Sequence, residues 1–402
     1  MNNNGKLRRI LMFHGLQICN NVLNVWSDAI ADEFRNKGID VGFIDLNKSG
    51  EDLADEYVRE INKGFDAAVA LNSYGQHETT MAGESVFDYL DVPFYNWILD
   101  HPCEHTKDIL SGLKKYHIIC IDRDHAEYVK RYFPNIAGVH FIPLGAKRSI
   151  QSDGYTKEEF AGRKYDVIFT GSCFSLEEIG NMIGNLPEDM RVVSTDMIEY
   201  MVDNRNVKNE EALKYALRKN NIVLKDEEFR DYAHKTAKTN PFVRGYIRKE
   251  MICYAAESGV RFDLFGEGWD DLKGMDNLTI HGSVSYAESV ELCSESKISF
   301  NVMPLFKDGL HDRIPTAMLM GSAVLTDTST YINEIFNTDG SEKELLLYDI
   351  SCPETIGEII KEALDDPDKL YEVAERGRIK AEKKLTWEQR VEELIRIIEG
   401  SI

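Results

Sequence analysis

Residues Asn301–Asp327, NVMPLFKDGLHDRIPTAMLMGSAVLTD, contain one complete strand–turn–helix–strand unit. An apolar strand opens the segment, and the polar turn Lys307–Arg313 follows it. A helix predicted to open at Pro315 ends at Gly321, and a second strand, Ala323–Leu325, comes next. This order of elements predicts a βαβ unit within a parallel sheet.

The turn between the first strand and the helix predicts an anion site. Open α/β sheets bind ligands outside the carboxyl ends of their strands, where this turn is expected to lie. The free N–H groups and the positive dipole end of the predicted helix favour a negative charge there. Arg313 and Lys307 add full positive charges, and His311 adds a donor for a phosphate or a sugar hydroxyl. A diphosphate fits this set, although basic residues in such turns are often simply solvated.

Length and composition describe a folded protein of more than one domain. The chain has 402 residues, of which 43% are hydrophobic, enough for two cores. Its net charge of -22 disfavours a nucleic-acid or anionic-membrane partner. The seven cysteines lack CxxC spacing, no apolar run is long enough to span a membrane, and the first residues do not resemble a signal peptide. We therefore expect a cytoplasmic protein without an integral membrane segment; its oligomeric state stays open.

Two series of apolar strands divided by helices predict an α/β protein with two Rossmann-like doubly wound domains. The first domain is predicted at 1–150 and the second at 165–384, with a polar linker at 151–164. The charged stretch at about 176–258 is longer than a simple crossover needs, so a helical elaboration of the second domain is expected there. The last residues, 385–402, are predicted to form a helix that packs back on the first domain.

The predicted strands of each series imply two parallel sheets. They are Arg9–Phe13, Val41–Asp45, Ala67–Leu71, Pro93–Ile98, His117–Ile121 and His140–Pro143 in the first domain, and Tyr165–Ser172, Arg261–Gly266, Leu278–Gly282, Ile298–Met303 and Ala323–Leu325 in the second. Tandem domains of this kind are expected to face each other across a cleft that suits two substrates.

Four segments carry a more specific pattern. Asp91–Pro102 reads DVPFYNWILDHP, and Phe265–Trp269 (FGEGW) is followed by His281–Tyr286 (HGSVSY). The opening βαβ unit is the third segment, and Leu385–Arg390 (LTWEQR) is the fourth. In this order they resemble the GT-B glycosyltransferases, and in particular the CgeB-like group named after a spore-maturation protein. The tail differs from that group's H-T-W-x-x-R pattern by a leucine in place of the histidine.

The resemblance implies a glycosyltransferase that uses a nucleotide diphosphate sugar, with a UDP-sugar the expected donor. The second domain would bind this donor, and the first would present a glycan, protein or small-molecule acceptor, in a bacterial surface or spore setting. The resemblance also implies that no metal and no cofactor is needed. Many retaining members carry Glu-x7-Glu, whose second Glu binds the ribose; the corresponding residues here are Asp308 and Thr316. Glu334, after the next strand, is a second candidate for the ribose.

A second loop set is predicted to lie near the nucleotide base. It comprises Gly266, Gly268, His281, Gly282 and Tyr286, all close to the ends of predicted strands. Glycine allows a ligand to approach the backbone closely, because it has no side chain. Turn geometry is an alternative explanation of the same glycines.

The acceptor side requires a base if the reaction inverts the anomeric centre. His14 and Asp100 each follow a predicted strand of the first domain, and either one is a candidate for this role. A retaining enzyme needs no such base, and His14 is also explained as a turn residue. A metal site at His101, Cys103 and His105 is disfavoured, because no second pair has zinc-site spacing.

Two other functions remain open from the residues alone. A nucleotide-sugar epimerase on the same fold would act on the free donor, and a non-catalytic module would bind a nucleotide or glycan without turnover.

Overall fold

The computed structural model describes residues 6–16, 21–148 and 154–401. The chain divides into two compact units, of which the first is Met1–Gly145 with Thr386–Ile402 and the second is Ala146–Leu385. Each unit is built around one parallel sheet of six strands. The described residues thus form two Rossmann-like α/β units, as the strand pattern predicts.

The strands of each unit are short and run parallel throughout. The first sheet contains β1 (Arg9–His14), β2 (Asp40–Asp45), β3 (Ala67–Leu71), β4 (Phe94–Ile98), β5 (Tyr116–Cys120) and β6 (Gly138–Phe141). The second contains β7 (Tyr165–Thr170), β8 (Phe262–Phe265), β9 (Leu278–Gly282), β10 (Ser296–Asn301), β11 (Ala323–Thr326) and β12 (Leu346–Leu347). All the predicted strands are present, and only the two-residue β12 was not predicted.

The helices of the described residues cover the sheets and form the elaboration. They are α1 (Val22–Asn36), α2 (Gly50–Lys63), α3 (Val86–Tyr89), α4 (Thr106–Ile109), α5 (Arg123–Tyr132), α6 (Lys157–Ala161), α7 (Leu176–Gly184), α8 (Glu188–Asp203), α9 (Asn209–Lys219), α10 (Asp226–Lys235), α11 (Thr239–Ala256), α12 (Tyr286–Ser294), α13 (Arg313–Leu319), α14 (Thr330–Ile335), α15 (Ile356–Asp365), α16 (Pro367–Lys384) and α17 (Trp387–Glu399). The predicted elaboration at 176–258 corresponds to α7 through α11.

The first unit has the strand order β2-β1-β3-β4-β5-β6. Strands β3, β4 and β5 are buried along their whole length, because helices cover both faces of the sheet. Helix α17 belongs to this unit and packs against α1. The Trp387 ring lies 5.9 Å from that of Trp26 and 6.0 Å from that of Trp97, measured between centroids. Lys37 at the end of α1 also pairs with Glu392 of α17.

The second unit has the order β12-β11-β10-β7-β8-β9. The chain moves outward from β7 through β8 to β9 and then returns to the other side of β7 at β10. The strand order therefore reverses between β7 and β10. In open α/β sheets, this reversal opens a crevice at the carboxyl ends of the two strands, and ligands bind there.

Two helices differ from the sequence-based prediction. Helix α13 begins at Arg313, two residues before the predicted start at Pro315, and it has only 7 residues. Proline is tolerated in this first turn because the N–H it lacks has no intrahelical partner there. The predicted linker contains the short helix α6, which begins with a capping box between Thr156 and Glu159. The linker residues 151–153 lie outside the described residues.

No helix in the described part of the chain has the length and apolar character needed to cross a membrane. Six of the seven cysteines lie within the described residues, and these six are free thiols.

Candidate active site

The predicted anion site lies where the second sheet reverses its strand order. Arg313, the first residue of α13, donates from Nε to Oδ1 of Asn301 at the end of β10, over 3.0 Å. Its guanidinium lies over the ring of Phe169 on β7, 5.1 Å from the centroid. A Cβ added at Gly171, just after β7, would lie 3.2 Å from Arg313 Nη1. The guanidinium of Arg313 therefore spans the crevice between the two strands.

One end of this guanidinium is unmatched in the part of the chain that the structure describes. Nη2 of Arg313 is buried and has no hydrogen-bond partner among the described residues. Burial lowers the pKa of Arg313, against the raising effect of Asp312. A buried donor of a charged group is costly to leave unmatched. The arrangement suits an anionic ligand that accepts from Nη2.

Two further arginines surround this position, and neither is among the site residues predicted from the sequence. Arg248 on α11 is 9% exposed, and its Nε donates to the carbonyl oxygen of Val302, just beyond β10, over 3.4 Å. Burial lowers the pKa of Arg248 well below its usual value, and the charges of Arg313 and Arg244 lower it further. Arg244, one helical turn earlier on α11, also lowers the pKa of Arg313. We call Arg244, Arg248 and Arg313 the arginine cluster.

These arginines were missed because they lie far upstream of the turn, in a stretch predicted only as a charged helical elaboration of the second domain. A signal was nevertheless present. The two residues are four apart on a helix whose neighbouring positions, such as Ile247 and Met251, are apolar and buried. Charged side chains avoid full burial unless they have a partner. Two arginines four residues apart on a buried helix are therefore more typical of a binding site than of a solvated surface.

Lys307 is placed against the elaboration. Its Nζ donates to the carbonyl oxygen of Arg205, which follows α8. Arg205 in turn pairs with Glu250 of α11 over 2.7 Å. Lys307 therefore joins the turn to the helices of the elaboration, and its predicted contact with a diphosphate stays a prediction.

His311 is neutral in this environment. Burial lowers its pKa to about 4, and the charge of Arg313 acts in the same direction. Its Nδ1 lies 2.7 Å from Oδ1 of Asp312 and also accepts from the backbone N–H of Arg313 over 3.3 Å. The shorter contact, with a carboxylate that only accepts, favours the tautomer with the proton on Nδ1, in which Nε2 accepts and suits a sugar hydroxyl. The contact with the Arg313 N–H favours the other tautomer, in which Nε2 donates, as the sequence suggested for a phosphate.

The three predicted ribose candidates lie on separate elements. Asp308 is in the turn after β10 and is half-buried, whereas Glu334 on α14 is exposed. Thr316 on α13 is buried, and its Oγ1 has no hydrogen-bond partner within the described residues. The hydroxyl of Thr316 is thus available to a ligand, and the ribose role of all three residues stays a prediction.

Asp327 is a buried acid that was not predicted from the sequence as a site residue. It follows β11, and its Oδ1 accepts from the backbone N–H of Met303 over 2.8 Å. Burial raises its pKa to about 6, although the charges of Lys307 and Arg248 partly offset this effect. At the sequence level, Asp327 was indistinguishable from an ordinary turn residue after a strand.

The glycines of the β8 loop have a packing role. A Cβ at Gly266 would lie 2.2 Å from the carbonyl oxygen of Gly171, and one at Gly268 would lie 1.9 Å from that of Cys173. Trp269 Nε1 also donates to the Gly171 carbonyl over 2.9 Å. The loops after β7 and β8 thus approach too closely for any side chain. Contact of Gly266 and Gly268 with a nucleotide base stays a prediction.

The remaining loop candidates lie at the end of β9 and just beyond it. His281 Nε2 lies 2.7 Å from Oδ1 of the buried Asp263, and its ring stacks on Phe265 with centroids 4.3 Å apart. Gly282 has a φ of 78°, which glycine adopts without strain, and Tyr286 begins α12. The His281 side chain is therefore held by its own sheet.

His14 ends β1 in the first unit. Its Nε2 lies 2.9 Å from Oδ1 of Asp28 on α1, and its ring stacks on Phe43 with centroids 4.2 Å apart. A carboxylate partner orients an imidazole ring. The role of His14 as a general base stays a prediction.

Asp100 follows β4 and belongs to a different group. Asn72 donates to its Oδ2 over 3.3 Å, and His105 Nε2 lies 3.8 Å from the same oxygen. Burial alone would lower the pKa of His105, but Asp100 and Asp108 outweigh it and raise the pKa to about 9. Since β3 lies between β1 and β4 in the sheet, Asp100 and His14 do not form a pair.

The histidines near Asp100 are placed individually. His101 Nδ1 accepts from the backbone N–H of Cys103 over 3.2 Å, so it caps a short helical turn. Within residues 6–16, 21–148 and 154–401, no three His, Cys, Asp or Glu side chains converge as metal ligands.

Comparison with known proteins gives one family and many similar folds. Residues 248–396 match the family described as glycosyl transferase-like, a segment that begins at Arg248 and includes Arg313. The sequence has no match among curated proteins.

Solved glycosyltransferase structures resemble the whole chain despite low sequence identity. A sucrose-phosphate synthase from Thermosynechococcus elongatus has a TM-score of 0.57 at 10% identity, covering 98% of this chain and 99% of its own. HepE of Anabaena, in complex with UDP-glucose, gives 0.54 at 11%, covering 98% and 100%. An alpha-glucosyltransferase in complex with UDP-glucose and DNA gives 0.57 at 14%, covering 98% and 99%. These likenesses show that the two units form the GT-B fold.

Proposed function

We propose that this chain, a glycosyltransferase of the GT-B fold, transfers a sugar from a UDP-sugar to an acceptor glycan without a metal ion. The second unit binds the donor, and the first presents the acceptor hydroxyl and supplies the base. The observation that carries the proposal is the unmatched Nη2 of Arg313, buried at the strand-order reversal beside Arg248.

The arginine cluster fits the charge changes of glycosyl transfer. As the bond from the sugar to the diphosphate breaks, negative charge grows on the leaving diphosphate. Fixed cations stabilise this charge more than they stabilise the ground state, which is the condition for catalysis. Arginine also offers paired N–H donors that match phosphate oxygens. The ligand in turn would relieve the repulsion among Arg244, Arg248 and Arg313.

The proposal that no metal is needed follows from the same cluster. A divalent ion would neutralise the leaving diphosphate in a metal-dependent transferase. Here the arginine cluster supplies positive charge at that place. Turnover is therefore expected to persist after exhaustive treatment with EDTA and to gain nothing from added Mg²⁺ or Mn²⁺.

A uridine nucleotide is proposed because several similar folds are described with one. The HepE structures contain UDP or UDP-glucose, and the alpha-glucosyltransferase structures contain UDP or UDP-glucose. Within the site, Thr316 Oγ1 and Nε2 of His311 are the groups we assign to donor hydroxyls. The CgeB-like resemblance extends the proposal to bacterial surface or spore polysaccharide as the acceptor.

The acceptor hydroxyl must lose a proton, and His14 is the proposed base if the reaction inverts. Asp28 would hold the ring and stabilise the imidazolium after proton transfer. Asp100 is proposed to position the acceptor, because it is held by its contact with His105, whose pKa it helps to raise.

The proposal is tested with a panel of nucleotide sugars assayed for nucleoside diphosphate release, with and without acceptor extracts. Release that depends on both a UDP-sugar and an acceptor is expected. Interconversion of the free donor would instead identify an epimerase, and binding without turnover would identify a binding module. Either of these outcomes would overturn the proposed transfer.

A further inference from the structure

The helical elaboration contains a groove between α8 and α11. It is lined by Ile198, Glu199, Val202 and Asp203 from α8, and by Phe242 and Tyr246 from α11. We call it the α8–α11 groove. It belongs entirely to the second unit and contains none of the residues assigned above to the donor.

The two walls of the groove differ in chemistry. Phe242 and Tyr246 are four residues apart and project from the same face of α11, and Tyr246 is 41% exposed. On α8, Glu199 and Asp203 have the same spacing and are both exposed. Neither acid forms an ion pair or a side-chain hydrogen bond within the described residues, although the charge of Glu199 helps to raise the pKa of Lys219. An aromatic wall thus faces a wall with two carboxylates available.

This combination matches the two sides of a sugar ring. A pyranose has a face of C–H groups that packs on an aromatic ring, and its edge carries hydroxyl donors that carboxylates accept. Ile198 and Val202 add an apolar floor beside the acids. The same carboxylates would repel uronic acids, sialic acids and phosphate-bearing glycans.

The groove is also linked to the donor site through both of its helices. On α11, Arg244 and Arg248 follow Phe242 by two and six residues, so they project from the opposite side of the helix. At the end of α8, the Arg205 carbonyl accepts from Lys307 of the turn. A ligand in the groove therefore lies roughly one helix diameter, about 10 Å, from the arginine cluster.

We propose that the α8–α11 groove is a distal subsite for the acceptor, binding a glycan segment without anionic groups. This inference rests on the proposed transferase function and names the acceptor class. The groove holds sugars beyond the one that reacts, so longer acceptors gain affinity from it. A single-sugar acceptor does not reach it.

The test uses an array of neutral, amino-bearing and anionic glycans, probed with the wild-type chain and with Tyr246→Ala and Asp203→Asn. Tyr89→Ala in the first unit is the matched control, since Tyr89 is an exposed aromatic residue that does not line the groove. We expect binding of glycans without anionic groups, weakened about tenfold by each groove variant and unchanged in the control. UDP-induced thermal stabilisation should be equal in all four proteins, which also shows that the variants fold.

Several results would overturn the groove proposal. Glycan binding unaffected by Tyr246→Ala would do so, and so would equal binding of anionic glycans. Competition by a lysine-rich peptide at lower concentration than any glycan would indicate a protein partner instead. Absence of UDP binding by the wild-type chain is a separate outcome. It would count against the proposed transferase and not against the groove alone.

Discussion

Arg313 and Asn301 join the start of α13 to the end of β10 through one hydrogen bond of 3.0 Å from Nε to Oδ1. This bond uses Nε, the guanidinium nitrogen nearest the backbone. It therefore orients the plane of the guanidinium group and leaves Nη1 and Nη2 directed toward the crevice. Since Nη2 is buried without a partner among the described residues, the site is organised before a donor arrives. Organised donors of this kind give the largest stabilisation of charge that develops during a reaction.

Replacement of Arg313 is expected to abolish most donor turnover. Arg313→Ala should lower kcat by about 10²–10³-fold, the effect of removing one organised donor from a developing charge. Arg313→Lys should recover only a part, because a lysine cannot match the paired geometry. The measurement is nucleoside diphosphate release at saturating donor. Arg191→Ala, at an exposed arginine of α8, is the control and should have wild-type kinetics; near-normal turnover in Arg313→Ala would remove Arg313 from the site.

Arg248→Met is expected to separate stability from donor binding. Methionine keeps much of the side-chain volume but removes a buried charge that Arg244 and Arg313 repel. The unliganded variant should therefore unfold at the same temperature as the wild type or at a higher one. The stabilisation by UDP should fall by about 1.4 kcal/mol for each tenfold loss of affinity. A variant that is less stable without ligand yet fully stabilised by UDP would show that Arg248 has a structural role only.

Much of this architecture follows from the sequence, and the arginine cluster shows what does not. Apolar runs such as Ala67–Leu71 predict the strands because a doubly covered strand must be apolar on both faces. Arg313 was predicted because it lies within a recognisable βαβ unit. Arg248 was missed because the groups it interacts with are distant in sequence. The Val302 carbonyl, which accepts a hydrogen bond from Arg248, is 54 residues away, and the repelling charge of Arg313 is 65 residues away. Only the return of β10 to β7 brings these groups together.

The two-residue β12 and the role of the loop glycines show the same limit. Leu346–Leu347 is too short to display a period, and it becomes a strand only because β11 offers a free edge. Gly266 suggested an approach to a ligand, but the nearest group to its missing side chain is the chain's own Gly171 carbonyl. Sequence can indicate that backbone comes close at a glycine, but not which backbone or ligand.

The charged His105 predicts a loss of stability at high pH. Its folded pKa is about 9, against 6.5 for an unperturbed histidine. The folded state therefore holds this proton more tightly than the unfolded state does. Protonated His105 contributes fully to the free energy of unfolding below pH 6.5. This contribution, at most about 3 kcal/mol, is lost as the pH rises through 9. Denaturant unfolding at a series of pH values should show this slope in the wild type, and His105→Gln should reduce it; parallel profiles would contradict the pairing with Asp100 and Asp108.

Gly268→Ala tests how closely the loops after β7 and β8 pack. The added Cβ would lie 1.9 Å from the Cys173 carbonyl oxygen, at a residue whose φ is 82°. Relief requires the two loops to move apart, so we expect a loss of about 3 kcal/mol in the free energy of unfolding and a lower affinity for UDP. Gly274→Ala is the matched control, because its φ is 89° and an added Cβ meets nothing within 4 Å. The control should lose only the cost of the backbone conformation, about 1 kcal/mol. Equal losses of unfolding free energy in the two variants would mean that the loops after β7 and β8 move apart at little cost. The packing of these loops would then not fix the geometry of the donor crevice.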